Sequence, residues 1–356
     1  MEFKNVEISQ TQASGVLMNQ TPLGITCGDV GGIGLECFLK AWTTDTHPWA
    51  GRLYAQPEHL YAVAETLQGE PRALALALAS KGKGQGLVLA PLDDISRETP
   101  TLGGWNPGWK EVSRASLEIS IQEALAGNTC GVVTLPITKR IVVNDLERFP
   151  GQTELFASRC GTSDFAMMLA GPVLRVVPVT THIPLSQVSE SLNQSEIERL
   201  LRLLHRTLIT QFNISEPTIA VCGLNPHAGE EGMLGTEEIQ VIQPALDLCQ
   251  GLSGKILGPM AADTLFPLAQ EMGVDGILAM YHDQGLIPFK TLHFDTGVNT
   301  TIGLPVTRTS PDHGVAYGIA GLNKANPEST RAAIKLAWSF REKQGPLEVH
   351  RYGFES

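Results

Sequence analysis

The chain has 356 residues, with 26 Lys and Arg against 37 Asp and Glu for a formal charge of −11, and 42% of it is hydrophobic. A mildly acidic surface does not attract a polyanion, which argues against nucleic acid as a partner, and the longest apolar run, Ala73 to Ala79, falls far short of the ~20 residues that span a bilayer. One hydrophobic core rarely grows to this length, so two lobes with a cleft are expected.

Residues 1–20 mix Glu2, Lys4 and Glu7 with Gln and Ser and hold no apolar stretch. They read as a flexible leader and not as a signal peptide, which places the chain in the cytoplasm. Leu23 to Cys27 predicts a first strand. The turn after it, Gly28-Asp29-Val30-Gly31-Gly32-Ile33-Gly34, has glycines that let backbone amides approach a ligand closely. It does not match G-x-G-x-x-G, so the usual dinucleotide fingerprint is absent. Lys81 to Gly86 is basic and glycine-punctuated but leads into a strand, where a phosphate loop would lead into a helix, and is expected to be a surface loop. Ser113 to Ala126 predicts a helix closed by Gly127, and Gly131 to Leu135 a strand. Gly151-Gln152-Thr153-Glu154 forms a second glycine turn, and Leu174 to Thr180, Thr218 to Cys222 and Gly276 to Met280 predict further strands. Ser195 and Glu198 form a capping-box pattern ahead of a helical stripe of Ile197, Leu200, Leu201, Leu204 and Leu208. Glu328 to Lys343 reads as a last helix. This alternation is that of an α/β protein with a largely parallel sheet. The six cysteines are scattered with no C-x-x-C pair, which predicts buried, reduced thiols.

Three histidines, His182, His227 and His282, each sit just past a predicted strand. In open α/β sheets, residues at the carboxyl ends of different strands converge on one crevice. Three neutral imidazoles with an open fourth position suit a catalytic divalent ion; hydrogen-bonded loop residues are the alternative reading. His205 lies in the helical stripe, and His47, His59 and His350 have no such context, so these four read as structural or exposed. Asp283 follows His282, and Asp263 lies a little upstream; either suits an imidazole-orienting carboxylate or a proton relay, with helix N-cap as the competing role for Asp263. Lys290, Asn299 and Arg308 collect downstream among hydroxyls and glycines, a set that suits a small phosphorylated anion.

Several motifs together resemble the 4-hydroxythreonine-4-phosphate dehydrogenases of pyridoxal phosphate biosynthesis. They are Gly28-Asp29 with Gly32-Ile33-Gly34, Thr180-Thr181-His182-Ile183-Pro184-Leu185, Cys222 to Glu230, Gly235-Thr236-Glu237-Glu238, Ala262 to Phe266, Tyr281-His282-Asp283-Gln284-Gly285, Gly297 to Thr301, Arg308-Thr309-Ser310 and Asp312-His313-Gly314. The resemblance spans about residues 21 to 340. It implies a two-lobed α/β fold like that of isocitrate and isopropylmalate dehydrogenases, with an active-site cleft between the lobes. On that pattern 21–140 with 305–356 forms a cofactor-side lobe, and 141–304 carries the metal, substrate and dimer side. The implied assembly is a homodimer in which His182 and His227 of one subunit and His282 of the other share one divalent ion, zinc, magnesium or cobalt.

By the same resemblance Gln152, Thr153, Lys290, Asn299 and Arg308 contact the phosphorylated hydroxy amino acid substrate. His313, Gly314, Ala316 and Asn326 belong to the loop for the adenosine end of NAD or NADP, and Asp263, Asp283 or Lys290 serve catalysis. The implied reaction is metal- and NAD(P)-dependent oxidation of 4-phosphohydroxy-L-threonine to 2-amino-3-oxo-4-phosphooxybutanoate, which decarboxylates to 3-amino-2-oxopropyl phosphate. Related dehydrogenation of 4-phosphoerythronate or phosphothreonate, and a catalytically silent binding homologue, are the alternatives. The chain departs from the family in having Gln152 and Thr138 where His is frequent, and Val30 and Leu35 in place of prolines. Gln donates hydrogen bonds but cannot become cationic, which makes the substrate end less pH-sensitive.

Overall fold

A computed structural model of the chain describes residues 20–44, 49–92, 95, 98–142 and 149–344. The expected leader lies outside the described residues apart from Gln20, as do His47 and His350. The described residues divide into two compact units, one within Met1–Cys160 and Arg308–Ile334, the other within Gly161–Thr307 and Lys335–Ser356. The division thus falls at 160 and 308, where the sequence reading had 140 and 305, and it puts Gln152 and Thr153 in the same unit as Arg308.

In chain order the first unit supplies β1 (Leu23–Thr26), β2 (Gly51–Tyr54), β3 (Lys83–Gly84), β4 (Leu87–Ala90) and β5 (Val132–Val133). The second supplies β6 (Ala166–Ala170), β7 (Arg175–Thr180), β8 (Thr218–Cys222), β9 (Lys255–Met260), β10 (Gly276–Tyr281) and β11 (Val298–Ile302), after which β12 (Arg308–Pro311) returns to the first. The strand order is β3-β4-β2-β1-β5-β12 in the first unit and β11-β6-β7-β10-β8-β9 in the second. All neighbours are parallel except β3/β4, β11/β6 and β6/β7. The mixed α/β class read from the sequence is therefore the one observed.

The second unit shows why its strands read as near-continuous apolar runs. Val177, Ile219, Val221, Leu278 and Met280 enter one core cluster with the stripe Ile197, Leu200, Leu201, Leu204 and Leu208. The alternate residues Val176, Ala220, Cys222, Ile277 and Ala279 enter another with Leu265, Leu286 and Phe289. Because strand side chains alternate, a sheet covered by helices on both faces must be apolar at every position.

The stripe helix, Gln194–Thr210, starts two residues earlier than the Ser195 cap would have it. Asn193 caps it, accepting a hydrogen bond from the Glu196 N–H at 2.9 Å, and Ser195 Oγ donates to Asn193 Oδ1. Asn193 and Glu196 have the same three-residue spacing as Ser195 and Glu198, and the earlier of two overlapping signals prevails. The predicted helix at Ser113 begins at Lys110, and Gly127 lies past its end at φ 75°, as a C-terminal glycine does. The last helix runs Glu328–Gln344. Lys81 to Gly86 is not a plain loop. Lys83–Gly84 pairs with β4 through a turn in which Gln85 and Gly86 take φ 45° and 76°. All six cysteines are free, and burial pushes the Cys27, Cys37 and Cys222 thiols up to about 12. Among the described residues no helix is long and apolar enough to cross a membrane.

Candidate active site

Strands β7, β10 and β8 are adjacent and parallel, so their carboxyl ends point the same way. His182 follows β7, His282 is the first residue of the helix His282–His293 directly after β10, and His227 follows β8. The His182 and His282 rings lie 5.9 Å apart, centroid to centroid, a spacing at which both can face one ion with metal–nitrogen bonds of ~2 Å. His282 Nδ1 is 2.7 Å from Asp283 Oδ1, which orients the ring and leaves Nε2 as the outward donor. His227 is 68% exposed, with Nδ1 3.8 Å from Glu230 Oε2. Among the described residues of one chain, no three His, Cys, Asp or Glu side chains gather closely enough to enclose a metal. The donors at these strand ends are imidazoles, the chemistry a catalytic divalent ion takes, with His182 and His282 already paired.

His227 stands on a strained turn. His227, Ala228, Gly229, Glu230 and Glu231 take φ of 54°, 53°, 80°, 45° and 56°, a left-handed run that costs about 1–2 kcal/mol at each non-glycine position. Beneath it lies Glu238, 3% exposed, at the start of a π-helical segment Glu238–Ile242. Its Oε1 accepts the N–H groups of Leu224 and Asn225 at 2.8 and 2.7 Å, and its Oε2 accepts Asn225 Nδ2 at 3.0 Å. Asn225 Nδ2 also donates to Glu237, and hydrogen bonds from Ser189 and Asn225 hold the Glu237 carboxyl below its usual range. Gln284 ties the neighbouring strand ends together. Its Oε1 accepts Met280 N–H at 2.6 Å and its Nε2 donates to Gly223 O at 2.7 Å. Sequence reasoning gave Glu238 and Gln284 no role, although both lie inside motifs it quoted.

Asp263 is exposed in the first turn of the helix Ala262–Leu268, whose N-cap is Ala261, so the N-cap reading of Asp263 is corrected. The extended residue that opens the helix lies two positions earlier, and from the first turn a carboxylate acts on the helix dipole instead. Asp263 and Asp283 both line a groove of about 530 Å³, together with Phe266, Tyr281, Ile287 and Leu292. Lys290 lies two turns along the helix that His282 opens, and Asn299 lies on β11 opposite Leu169.

The first unit holds the other group. Arg308, at the start of β12, is 4% exposed and donates to Thr134 Oγ1 at 3.0 Å, and to Thr153 Oγ1 and Gln152 Oε1 at 3.4 Å. Its guanidinium sits 5.8 Å from the Phe156 ring centroid, and burial lowers its pKa to about 10. Gln152 and Thr153 open the helix Gln152–Arg159, whose N-terminal amides add positive potential beside the guanidinium. Gln152 Nε2 donates to Leu135 O at 3.2 Å, so its oxygen is the atom turned to Arg308.

The first glycine turn is used differently from the expectation. A Cβ on Gly31 would lie 2.2 Å from Gly104 O, and one on Gly32 2.7 Å from Val315 O. At these two glycines the closely approaching group is the chain's own backbone, not a ligand. Asp29 beside them accepts Gly31 N–H at 3.1 Å and the Tyr317 hydroxyl, and burial raises its carboxyl pKa. The segment after β12 is pinned to the helix Gly34–Thr44. Glu36, buried and 2.7 Å from Lys40, accepts Ala325 N–H at 2.9 Å, while Lys40 Nζ donates to Asn323 O and Ala325 O. His313 Nδ1 lies 3.0 Å from Gly314 O and Nε2 3.3 Å from Thr330 Oγ1; burial lowers its pKa. Ala316 is left-handed at φ 45°, and Asn326 Oδ1 accepts Glu328 N–H, a helix-capping role not foreseen in the sequence. His59 and His205 are buried structural residues, as expected, with His205 Nε2 2.9 Å from Ser253 O.

The family model of pyridoxal phosphate biosynthetic protein PdxA matches residues 91–337. A 4-hydroxythreonine-4-phosphate dehydrogenase of Desulforapulum autotrophicum is 47% identical over 249 residues, 70% of this chain and 73% of that protein. One of Zymomonas mobilis is 42% identical over 318 residues, covering 89% of this chain and 94% of its own length. The crystal structure of a 4-hydroxythreonine-4-phosphate dehydrogenase from Klebsiella pneumoniae superposes with a TM-score of 0.77 at 32% identity, over 90% of this chain and 100% of that one.

Proposed function

The chain belongs to the family of pyridoxal phosphate biosynthetic protein PdxA, and we propose that it oxidises 4-phosphohydroxy-L-threonine with NAD or NADP as hydride acceptor. The product, 2-amino-3-oxo-4-phosphooxybutanoate, then loses carbon dioxide to give 3-amino-2-oxopropyl phosphate. The observation that carries this reading is the placement of His182, His282 and His227 at the ends of three adjacent parallel strands. A zinc-, magnesium- or cobalt-type ion held by these imidazoles would supply a Lewis acid at the alcohol oxygen. Asp283 fixes the His282 ring, and Asp263 or Asp283 takes up the hydroxyl proton. Arg308, with Thr153 and the Gln152–Arg159 helix start, anchors the phosphate, to which Lys290 and Asn299 contribute. The Glu36–Lys40 pair holds the 323–326 backbone, and the segment containing His313, Gly314, Ala316 and Asn326 receives the adenosine end of the cofactor.

The reading includes a homodimer with one imidazole supplied across the subunit boundary. Its support is that Ile287, Leu292 and Phe294, on and just past the helix that His282 opens, are 64, 58 and 74% exposed. Location in the cytoplasm accords with six free cysteines. The test compares kcat/KM with NAD and NADP for 4-phosphohydroxy-L-threonine, 4-phosphoerythronate and phosphothreonate. Preference for either of the latter overturns the substrate, and turnover of none at full metal content overturns the enzyme. In parallel, His227→Ala is expected to lose metal and turnover while staying folded.

A further inference from the structure

We infer that Glu238, seconded by Asn225, is a positioning residue that holds the turn carrying His227 in the one backbone conformation that presents its imidazole; the inference rests on the histidine metal site proposed above. The ring of His227 is largely exposed, so the packing of its own side chain does little to fix its direction. Its direction is set by the backbone, which is left-handed over five consecutive residues, four of them not glycine. Such a run persists only where surrounding groups over-determine it. The group underneath is one buried carboxylate, which accepts the N–H groups of Leu224 and Asn225 and the Asn225 amide.

The turn is moulded on that carboxylate. A Cβ at Gly229 would lie 2.6 Å from Glu238 Oε2, and one at Gly223 3.0 Å from Oε1, so both glycines lie against the carboxylate where a side chain would collide. Removing the carboxylate leaves two inward N–H groups without their acceptor, and the turn relaxes toward ordinary backbone angles. His227 then spends most of its time elsewhere, and the ion it would hold is bound more weakly. No atom of Glu238 need touch the ion for this to follow.

The test is titration of the full-length protein with Co²⁺ alone, read by visible absorption, at a temperature where each variant is folded by circular dichroism. Glu238→Ala is expected to weaken Co²⁺ binding about ten- to a hundredfold, the range for groups that orient metal ligands. Glu238→Gln keeps an oxygen for the two backbone N–H groups and is expected to bind within about threefold of the parent. Unchanged Co²⁺ affinity in folded Glu238→Ala overturns the inference, as does a loss in Glu238→Gln as large as in Glu238→Ala. Should Glu238→Ala fail to fold, Asn225→Ala replaces it, with weakened binding expected and unchanged affinity overturning. His227→Ala separates the two layers. If it binds Co²⁺ as the parent does, the histidine site itself is wrong; if it loses binding while Glu238→Ala does not, only the positioning role is.

Discussion

Replacement of Arg308 by Met separates phosphate recognition from folding. The guanidinium is buried against Phe156, with Thr134, Thr153 and Gln152 among its hydrogen-bond partners, and burial brings its pKa down from the ordinary guanidinium range to about 10. At roughly 1.4 kcal/mol per tenfold, that difference corresponds to roughly 3 kcal/mol by which the cation is disfavoured at neutral pH. A bound phosphate reverses the sign of that contribution. Two charge-assisted hydrogen bonds of about 1.5–3 kcal/mol each contribute about 3–6 kcal/mol, or about a hundred- to ten-thousandfold in kcat/KM. Met keeps an unbranched apolar stem over Phe156 and removes the buried charge, so the melting temperature should move by only a few degrees. The assay is kcat/KM on 4-phosphohydroxy-L-threonine beside 4-hydroxy-L-threonine. Arg308→Met is expected to lose the discrimination between them, with the weaker substrate almost unaffected. An equal fall on both substrates, or a fall below tenfold on the phosphorylated one, refutes the reasoning.

A shared metal site predicts complementation. His227→Ala and His282→Ala, each inactive alone, should recover about a quarter of parental activity when dimers are randomly remixed, since half are heterodimers with one intact site; no recovery places these two histidines in the same subunit. Burial lowers the pKa of His59 from 6.5 to about 4, so the unfolded chain takes up a proton there first as pH falls. Its contribution is fully present above pH 6.5 and is lost down to about pH 4, roughly 3 kcal/mol in all. A His59→Gln variant should show a flatter urea-unfolding profile over that window, and parallel profiles would contradict the assignment. Gly31→Ala places a Cβ 2.2 Å from Gly104 O and should cost about 1–3 kcal/mol. Gly251→Ala, with nothing within 4 Å of the added carbon, should be near neutral; similar melting temperatures for the two would disprove the close packing.

Much of this architecture was legible along the chain, for reasons that differ by element. Strands β1, β7, β8 and β10 were readable because β-branched runs bounded by turn residues are a local signal, and the histidines were readable because each stands where such a run stops. Arg308 announced itself as a cation among hydroxyls. What escaped has no local signature. Nothing near Glu238 says that its acceptors serve amides 13 and 14 residues earlier, and the Gln284 bridge to Gly223 spans 61 residues. The glycines at 31 and 32 were read as room for a ligand because a sequence shows that space is needed without showing what fills it. Asn193 and Ser195 offer equivalent caps two residues apart, and only the tertiary fit of the helix chooses between them.

The order of strands along the chain bears on biosynthesis. Strand β12 completes the first unit beside β5, yet residues 161–307, the greater part of the second unit, are translated before it. A nascent chain emerging from the ribosome can therefore build most of the second unit, including all its strands, while its amino-terminal neighbour still waits for Arg308–Pro311, with the Val132–Val133 edge unpaired on that side. A stop codon just before position 308 would thus spoil the amino-terminal unit, although every residue removed lies far downstream of it.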